Sequence, residues 1–259
     1  MTDKIIPIGD SFWNLRGSFR IFGLLNIGTH VSLVRLRSGG FVFLDSYTLD
    51  EDTRRWVMDL TDQGARVEAI INLHPFHTVH CTRMHQDFPA AKLYGSRRHV
   101  ARAPDLPWQA LHSDDAALHA LFADDLQFSV PRGVDFISRD EKVHFSSVLA
   151  YHPASRSLHS DDTLMYLKVT GPLGGLIPER VGFHPTLSKA LEKRPGAAAD
   201  FRAWARDLAT RWLDAENLCA AHNHTLTRQP SGIASLQQQI IAALARAEPK
   251  LAAHEKKYG

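Results

Sequence analysis

Short apolar runs alternate with helical patterns along the first third of the chain, and this order limits the choice of fold. Runs with strand character cover 19–25, 30–36 and 41–45, and the glycines of Arg37-Ser38-Gly39-Gly40 suit a hairpin between the last two. A helical pattern follows over 50–63, then a strand over 67–72, a helix over 78–88 and a strand over 91–94. This order predicts helices packed on a mixed sheet, rather than an all-α or all-β domain.

A second β-rich block lies beyond the middle of the chain. Strands are predicted over 126–130, 134–137, 144–151, 157–160 and 163–169, and helices over 114–123 and 200–213. A Gly- and Pro-rich connection occupies 171–199, and a short strand at 217–222 precedes a C-terminal helix at 231–247. We therefore expect a single domain over 1–259 of the α/β (α+β) class, a four-layer αββα sandwich of two mixed β-sheets flanked by helices.

Charge, hydropathy and cysteine content bear on partners and location. A formal charge of +2 without a dense basic stripe argues against nucleic acid as a partner. No apolar run approaches the ~20 residues of a spanning helix, and the N-terminus lacks a secretory signal, so we expect no membrane partner. Cys81 and Cys219 are too few for a disulfide scaffold, which favours a reducing, cytoplasmic location. The 171–199 connection suits either a flap over a pocket or a contact in a homo-oligomer.

Three histidines fall close together where the strand predicted at 67–72 gives way to a helix. His74 lies at the strand exit, and His77 and His80 are three residues apart at the start of the next helix. Neutral imidazole is the commonest protein ligand for zinc and related metals, so all three are candidate metal ligands. The alternative is an amphipathic helix start, with Cys81 in its buried stripe, whose histidines only form hydrogen bonds.

Other chemically active side chains also stand at strand ends. Asp162 follows the strand at 157–160, where a carboxylate can ligate a metal or act as a general base. Asp45 ends an earlier strand in the same way, and His222 ends the strand at 217–222. Each of these alone is also consistent with an ordinary loop acid, a helix cap or a hydrogen-bonded histidine.

The order of these residues resembles the metallo-β-lactamase superfamily of metal-dependent hydrolases, from about Phe19 to His224. The segment 72–77 falls where that family carries His-x-His-x-Asp-His, and 158–162 is similar to its hairpin ending in Gly-Asp. The resemblance implies that Asp45 and Asn72 support the site. It further implies a metal-ligand set drawn from His74, His77, His144, Asp162 and His222, with His80 as a substitute for a lost ligand. Asn72 and Phe76 depart from the pattern, because the family has histidine and aspartate there.

Three functions follow from this set of residues. The first is a hydrolase that uses one zinc or iron ion, rather than two, to activate water against an ester, lactone or amide of an unspecified small molecule, with Asp162 in the catalytic role. The second is a non-catalytic or regulatory protein on the same scaffold whose metal site has eroded, as Phe76 would suggest. The third is an iron-binding redox protein, because histidine and carboxylate ligands also suit iron.

Overall fold

The structure, a computed structural model, describes residues 3–18, 20–21, 25–26, 28–168, 178–222, 224–227 and 234–259. The strands are β1 (Lys4–Pro7), β2 (Phe12–Gly17), β3 (Arg20–Ile21), β4 (Leu25–Asn26), β5 (Thr29–Arg35), β6 (Phe41–Leu44), β7 (Val67–Ile71), β8 (Lys92–Gly95), β9 (Trp108–His112), β10 (Gln127–Ser129), β11 (Leu149–His152), β12 (Ser157–Ser160), β13 (Leu164–Leu167), β14 (Arg180–Phe183), β15 (Asn217–Ala220) and β16 (Thr225–Leu226). The helices are α1 (Glu51–Leu60), α2 (Cys81–Asp87), α3 (Arg97–Arg102), α4 (Ala116–Leu121), α5 (Leu187–Ala190), α6 (Ala197–Arg211) and α7 (Leu236–Tyr258).

Two mixed sheets form the centre of the molecule. The first runs in the order β1-β2-β5-β6-β7-β8-β9, antiparallel from β1 to β6 and parallel from β6 to β9. The second runs β10-β11-β12-β15-β16, and within it β12 and β15 are parallel while the other neighbours are antiparallel. The parallel pairs β6–β7 and β7–β8 are connected through α1 and α2, as parallel strands require.

The apolar core between the sheets is separate from the cores beneath the helices. Between the sheets, inward side chains of the first sheet meet those of the second, among them Phe12, Val42, Ile71, Val148 and Cys219. Since side chains alternate along a strand, the neighbouring residues of β6, Phe41 and Phe43, face the opposite way. They pack against side chains of α1 and α2, such as Val57 and Met84.

The second sheet is covered by α6 and α7. Its outward side chains, among them Tyr151 and Leu218, pack with Phe201 and Trp204 of α6 and with Ile240 of α7. The layers therefore run helix, sheet, sheet, helix, and the predicted four-layer αββα sandwich is confirmed. None of the described helices is long and apolar enough to cross a lipid bilayer.

The layer between the sheets becomes polar at one end, and this end carries the candidate site. In β5, Val31 and Leu33 face the helices beside the first sheet. The alternating residues His30 and Ser32 therefore point toward the second sheet, together with Asn14 of β2. All three polar side chains are buried, so each needs a hydrogen-bond partner inside the protein.

Two predicted strands are shorter or missing in the structure. Val134 forms only an isolated bridge to Leu191, and β11 begins at Leu149 rather than at 144. The apolar residues of these segments, such as Val143 and Phe145, are buried as loops against the core beneath α6. These loops bury apolar side chains, and their sequences therefore show the apolar pattern from which strands were predicted. The strand predicted at 19–25 covers β3 and β4, while 19 and 22–24 lie outside the described residues.

The last third of the chain also departs from the sequence prediction. The connection at 171–199 contains β14, α5 and the start of α6, and its residues 171–177 lie outside the described part. The C-terminal helix, predicted at 231–247, begins at Leu236 and continues to Tyr258, while 231–233 are not described. It continues past Pro249 because that residue is exposed, so water can bond the carbonyl that proline leaves unpaired. Buried Leu251 and His254 extend its packed stripe.

Candidate metal centre

Strand ends from both sheets bring the candidate ligands together. His74 lies three residues beyond β7, and Asp162 lies two residues beyond β12. His222 follows β15, which is parallel to β12, so the carboxyl ends of these two strands share one edge. His77 extends the loop after β7 toward the same place. We call His74, His77, Asp162 and His222 the outer cluster.

Asp162 is at the centre of the outer cluster. Its Oδ2 is 3.3 Å from Nε2 of His74 and 3.9 Å from Nε2 of His77. Its Oδ1 is 3.0 Å from Nε2 of His222. The side chains of His74 and Asp162 are almost fully buried, whereas those of His77 and His222 are 26% and 17% exposed. The cluster therefore opens to solvent on the side of His77 and His222.

Hydrogen bonds fix which nitrogen of each imidazole faces the cluster. His222 Nδ1 is 3.0 Å from the carbonyl oxygen of Gly28, which can only accept, so this nitrogen carries hydrogen and Nε2 faces Asp162. His74 Nδ1 accepts a hydrogen bond from the Phe76 amide at 3.1 Å. The lone pair of neutral His74 therefore lies on Nδ1. The other tautomer, with the lone pair on Nε2, would lose the hydrogen bond from the Phe76 amide.

The outer cluster fits a bound cation. Because Nδ1 of His222 carries hydrogen, a neutral His222 would turn a lone pair toward the Asp162 carboxylate at 3.0 Å. Such a contact needs a proton or a metal ion between the two atoms. Nε2 of His74 is fully buried, and its 3.3 Å contact with Asp162 Oδ2 does not have the geometry of a hydrogen bond. Ligand atoms of His74, His77 and Asp162 all lie within 4.8 Å of one another. Imidazole and carboxylate together suit zinc or iron.

Burial and ion pairs set the protonation states in the outer cluster. Burial alone lowers the pKa of His77, but the hydrogen bond and charge of Asp161 raise it to about 9. The pKa of His222 is also raised, because the bond to Asp162 outweighs burial. Burial would raise the pKa of Asp162, yet the charge of His74 and the bond from His222 hold it well below its usual value. Burial lowers the pKa of His74. At neutral pH, the proton on His77 thus occupies the place of a cation.

A second group of titratable side chains lies directly behind the outer cluster, between the sheets. We call His30, Asp45, His159 and Asp161 the inner cluster. His30 Nε2 is 3.2 Å from Asp161 Oδ1, and His159 Nε2 is 3.1 Å from Asp45 Oδ2. The two imidazoles stack with ring centroids 4.5 Å apart and planes 5° from parallel. All four side chains are buried.

Asp45 and Asn72, the two residues predicted to support the site, form hydrogen bonds to and from the loop that follows β7. Oδ1 of Asp45 accepts hydrogen bonds from the backbone amides of Leu73 at 2.8 Å and His74 at 3.4 Å, which fixes the start of the ligand loop. Nδ2 of Asn72 donates to the carbonyl of Tyr94 at 2.9 Å, and its Oδ1 accepts from the Cys81 thiol. Asn72 thus connects the loop to β8 and α2.

Two of the candidate ligands, His80 and His144, lie outside the outer cluster. His80 pairs through Nδ1 with the Thr48 hydroxyl at 2.8 Å and packs against Tyr47, because the chain turns away from the cluster before α2 begins. His144 donates through Nε2 to the carbonyl of Glu141 at 2.6 Å and stacks on Phe76 at 4.7 Å. The Phe76 ring fills the space beside His144.

His30, His159 and Asp161 were not predicted as site residues from the sequence. Asp161 stood only as the neighbour of Asp162, at the position where the resembling family has glycine. His30 and His159 were indistinguishable among 15 histidines. The available signal was the position of His30 and His159 within strands β5 and β12, where a polar residue turned inward needs a partner.

Comparison with known proteins finds similarity in structure. No known family profile matches the chain, and no curated protein matches it in sequence. A metallo-β-lactamase from Pontibacter korlensis is 14% identical, with a TM-score of 0.57 over 95% of this chain and 99% of that one. One from Erythrobacter litoralis is 12% identical, with a TM-score of 0.60 over 95% and 96%. FIM-1 from Pseudomonas aeruginosa, in its mono-zinc form, is 10% identical, with a TM-score of 0.57 over 95% and 96%. Given the two sheets and their flanking helices, this chain has the metallo-β-lactamase fold.

Proposed function

We propose that the outer cluster binds one zinc or iron ion and that the protein is a metal-dependent hydrolase of a small ester, lactone or amide. The observation that carries this proposal is the convergence of three imidazoles on the Asp162 carboxylate at a partly open strand edge. His74, His77, Asp162 and His222 would hold the ion. One solved structure with the same fold, FIM-1, is in a mono-zinc form.

The bound ion would supply a water of lowered pKa, from about 15.7 toward ~7, and would polarise a carbonyl group. Asp162 is suited to ligation more than to proton transfer, because its pKa lies well below the usual value and it is therefore a weak base. His222 is held by the Gly28 carbonyl with Nε2 turned toward the cluster. Asp45 keeps the loop that carries His74 in place through two backbone amides.

Phe76 favours one ion over two. Its ring is buried between the His144 imidazole, 4.7 Å away, and the Arg98 guanidinium, 4.4 Å from the ring centroid. The side of the cluster toward His144 is therefore occupied by an apolar group instead of a carboxylate. A second ion there would lack an anionic ligand.

Metal content provides the test. Protein purified without chelator, reloaded with zinc and dialysed should hold about one ion per chain by mass spectrometry. His74→Ala and His222→Ala should lose it, whereas His80→Ala should keep it, because His80 is a neighbouring imidazole outside the cluster. Hydrolysis of chromogenic ester, lactone and amide substrates should follow metal content across these variants. Absence of metal in every preparation, or equal loss in His80→Ala, would contradict the proposal.

The second candidate is a non-catalytic protein on the same scaffold. Phe76 favours it, since a phenylalanine can neither ligate a metal nor orient a water molecule. This alternative, in which the metal site has eroded, predicts that no preparation holds metal and that none of the substrates tested is hydrolysed.

A further inference from the structure

A chain of polar contacts runs from β16, at the edge of the second sheet, to His77 of the outer cluster. Thr225 Oγ1 donates to Asn14 Oδ1 at 2.6 Å, and Asn14 Nδ2 lies 3.0 Å from His30 Nδ1. His30 Nε2 lies 3.2 Å from Asp161 Oδ1. The same carboxylate oxygen is 3.5 Å from Nδ1 of His77.

The chemistry of the donors fixes the direction of this chain. Arg16 can only donate and its Nη1 faces Asn14 Oδ1 at 3.5 Å, so the oxygen of the Asn14 amide is on that side and the nitrogen faces His30. His30 Nδ1 must then accept. Burial lowers the pKa of His30 well below its usual value, so the imidazole is neutral and its one hydrogen is on Nε2. That hydrogen is donated to Asp161.

The inner cluster is therefore not a second cation site, although its ligand atoms lie close together. Both nitrogens of His30 have partners. His159 is bonded at Nδ1 to the Ser32 hydroxyl at 2.9 Å and at Nε2 to Asp45 at 3.1 Å. A metal ion would have to displace these bonds in a fully buried space. The outer cluster differs because neutral His222 would turn a lone pair toward the Asp162 carboxylate and because solvent reaches the cluster on the side of His77 and His222.

Asp161 also faces His77 of the outer cluster. An ionised carboxylate can only accept, so the atom of His77 that faces it, Nδ1, carries hydrogen. This leaves the lone pair of neutral His77 on Nε2, the nitrogen turned toward Asp162. Carboxylates that bind the outer nitrogen of a metal-ligating histidine fix its tautomer and ring orientation in this way.

We propose that Asp161, held by His30 and Asn14, is a positioning residue that presents Nε2 of His77 to the cation. The proposal rests on the proposed function, in which His77 is a ligand. The hairpin that this segment resembles ends in Gly-Asp, where this chain has Asp161-Asp162. Loss of such a partner weakens metal affinity by roughly 10- to 100-fold.

The first test measures zinc affinity with a competing chromophoric chelator. Asp161→Asn and Asp161→Gly should bind zinc roughly 10- to 100-fold more weakly than the wild type. His30→Gln should show a smaller loss in the same direction, because it disturbs Asp161 only indirectly. Asp87→Asn is the matched control, since Asp87 is a buried carboxylate paired with Arg54 and Arg83 away from the site. Unchanged affinity in both Asp161 variants, or equal loss in Asp87→Asn, would overturn the proposal.

The second test reads the tautomer of His77 directly, by nitrogen-15 NMR of labelled histidine. It does not require metal. In zinc-free wild type at a pH of about 10, above the pKa of His77, the hydrogen should be on Nδ1. In folded Asp161→Asn the population should shift toward hydrogen on Nε2. Hydrogen on Nε2 in the wild type overturns the proposal even if no variant folds, whereas failure to bind zinc with the expected tautomer contradicts only the proposed function.

Discussion

Zinc should bind this protein more tightly as the pH rises from 7 to 9. His77 must be neutral to donate its lone pair, but the bond from its Nδ1 to Asp161 raises its pKa to about 9 in the metal-free protein. At pH 7, about two units below this pKa, zinc must displace a proton from His77 in order to bind. This corresponds to roughly 100-fold in apparent affinity, or about 2.7 kcal/mol at about 1.36 kcal/mol per unit. The apparent affinity should increase about tenfold per pH unit and level off above pH ~9.

Chelator competition at pH 7, 8 and 9, corrected for the protonation of the chelator, measures this dependence. Calorimetry in two buffers of different ionisation enthalpy should show about one proton released at pH 7 from His77, plus a further fraction from His222, whose pKa is also raised. Asp162 contributes none, because its pKa is far below this range. His80→Ala should behave as the wild type. An affinity that changes by less than about threefold between pH 7 and 9 would refute the assignment of His77 as a metal ligand that is protonated in the metal-free protein.

Three further measurements test the stability of the folded protein. The contribution of His77 to the stability of the metal-free protein should be complete below pH ~6.5 and should be lost, by up to about 3 kcal/mol, as the pH rises through 9, because the pKa of His77 is raised in the folded state. A chemical denaturation series in which stability rises between pH ~6.5 and 9 would contradict this. Gly133→Ala should reduce the unfolding free energy by about 2 kcal/mol or more, because its φ is +73° and a Cβ would lie 2.0 Å from the Ala197 carbonyl oxygen. Gly182→Ala, where nothing lies within 4 Å, is its control and should be near neutral in thermal unfolding. Ser235→Ala should cost about 1 kcal/mol by removing the N-cap bond to Gln238 at the start of α7, without changing zinc content.

Elements with a clear period could be predicted from the sequence. The strand β6, the helix α1 and the strand β7 follow from alternating or helical apolar spacing. The acid and imidazole at the ends of β12 and β15 were found because strand ends are where side chains can converge. These features depend on residues close together in the chain.

The inner cluster could not be predicted in the same way. Whether His30 faces the helices or the second sheet depends on how β5 packs, and its partner Asp161 is 131 residues away. The exclusion of His80 and His144 likewise depends on neighbours such as Thr48 and Phe76, whose positions are set by tertiary packing. Strand and helix periods do not contain this information.

The outer cluster draws its members from both halves of the sandwich, and this has a consequence for folding. His74 and His77 follow a strand of the first sheet, whereas Asp162 and His222 follow strands of the second. A cation held by all four can bind only after the two halves have docked, so it acts as a reversible cross-link between them. At a free concentration about 100 times its dissociation constant, such an ion would add about 2.7 kcal/mol to the free energy of unfolding.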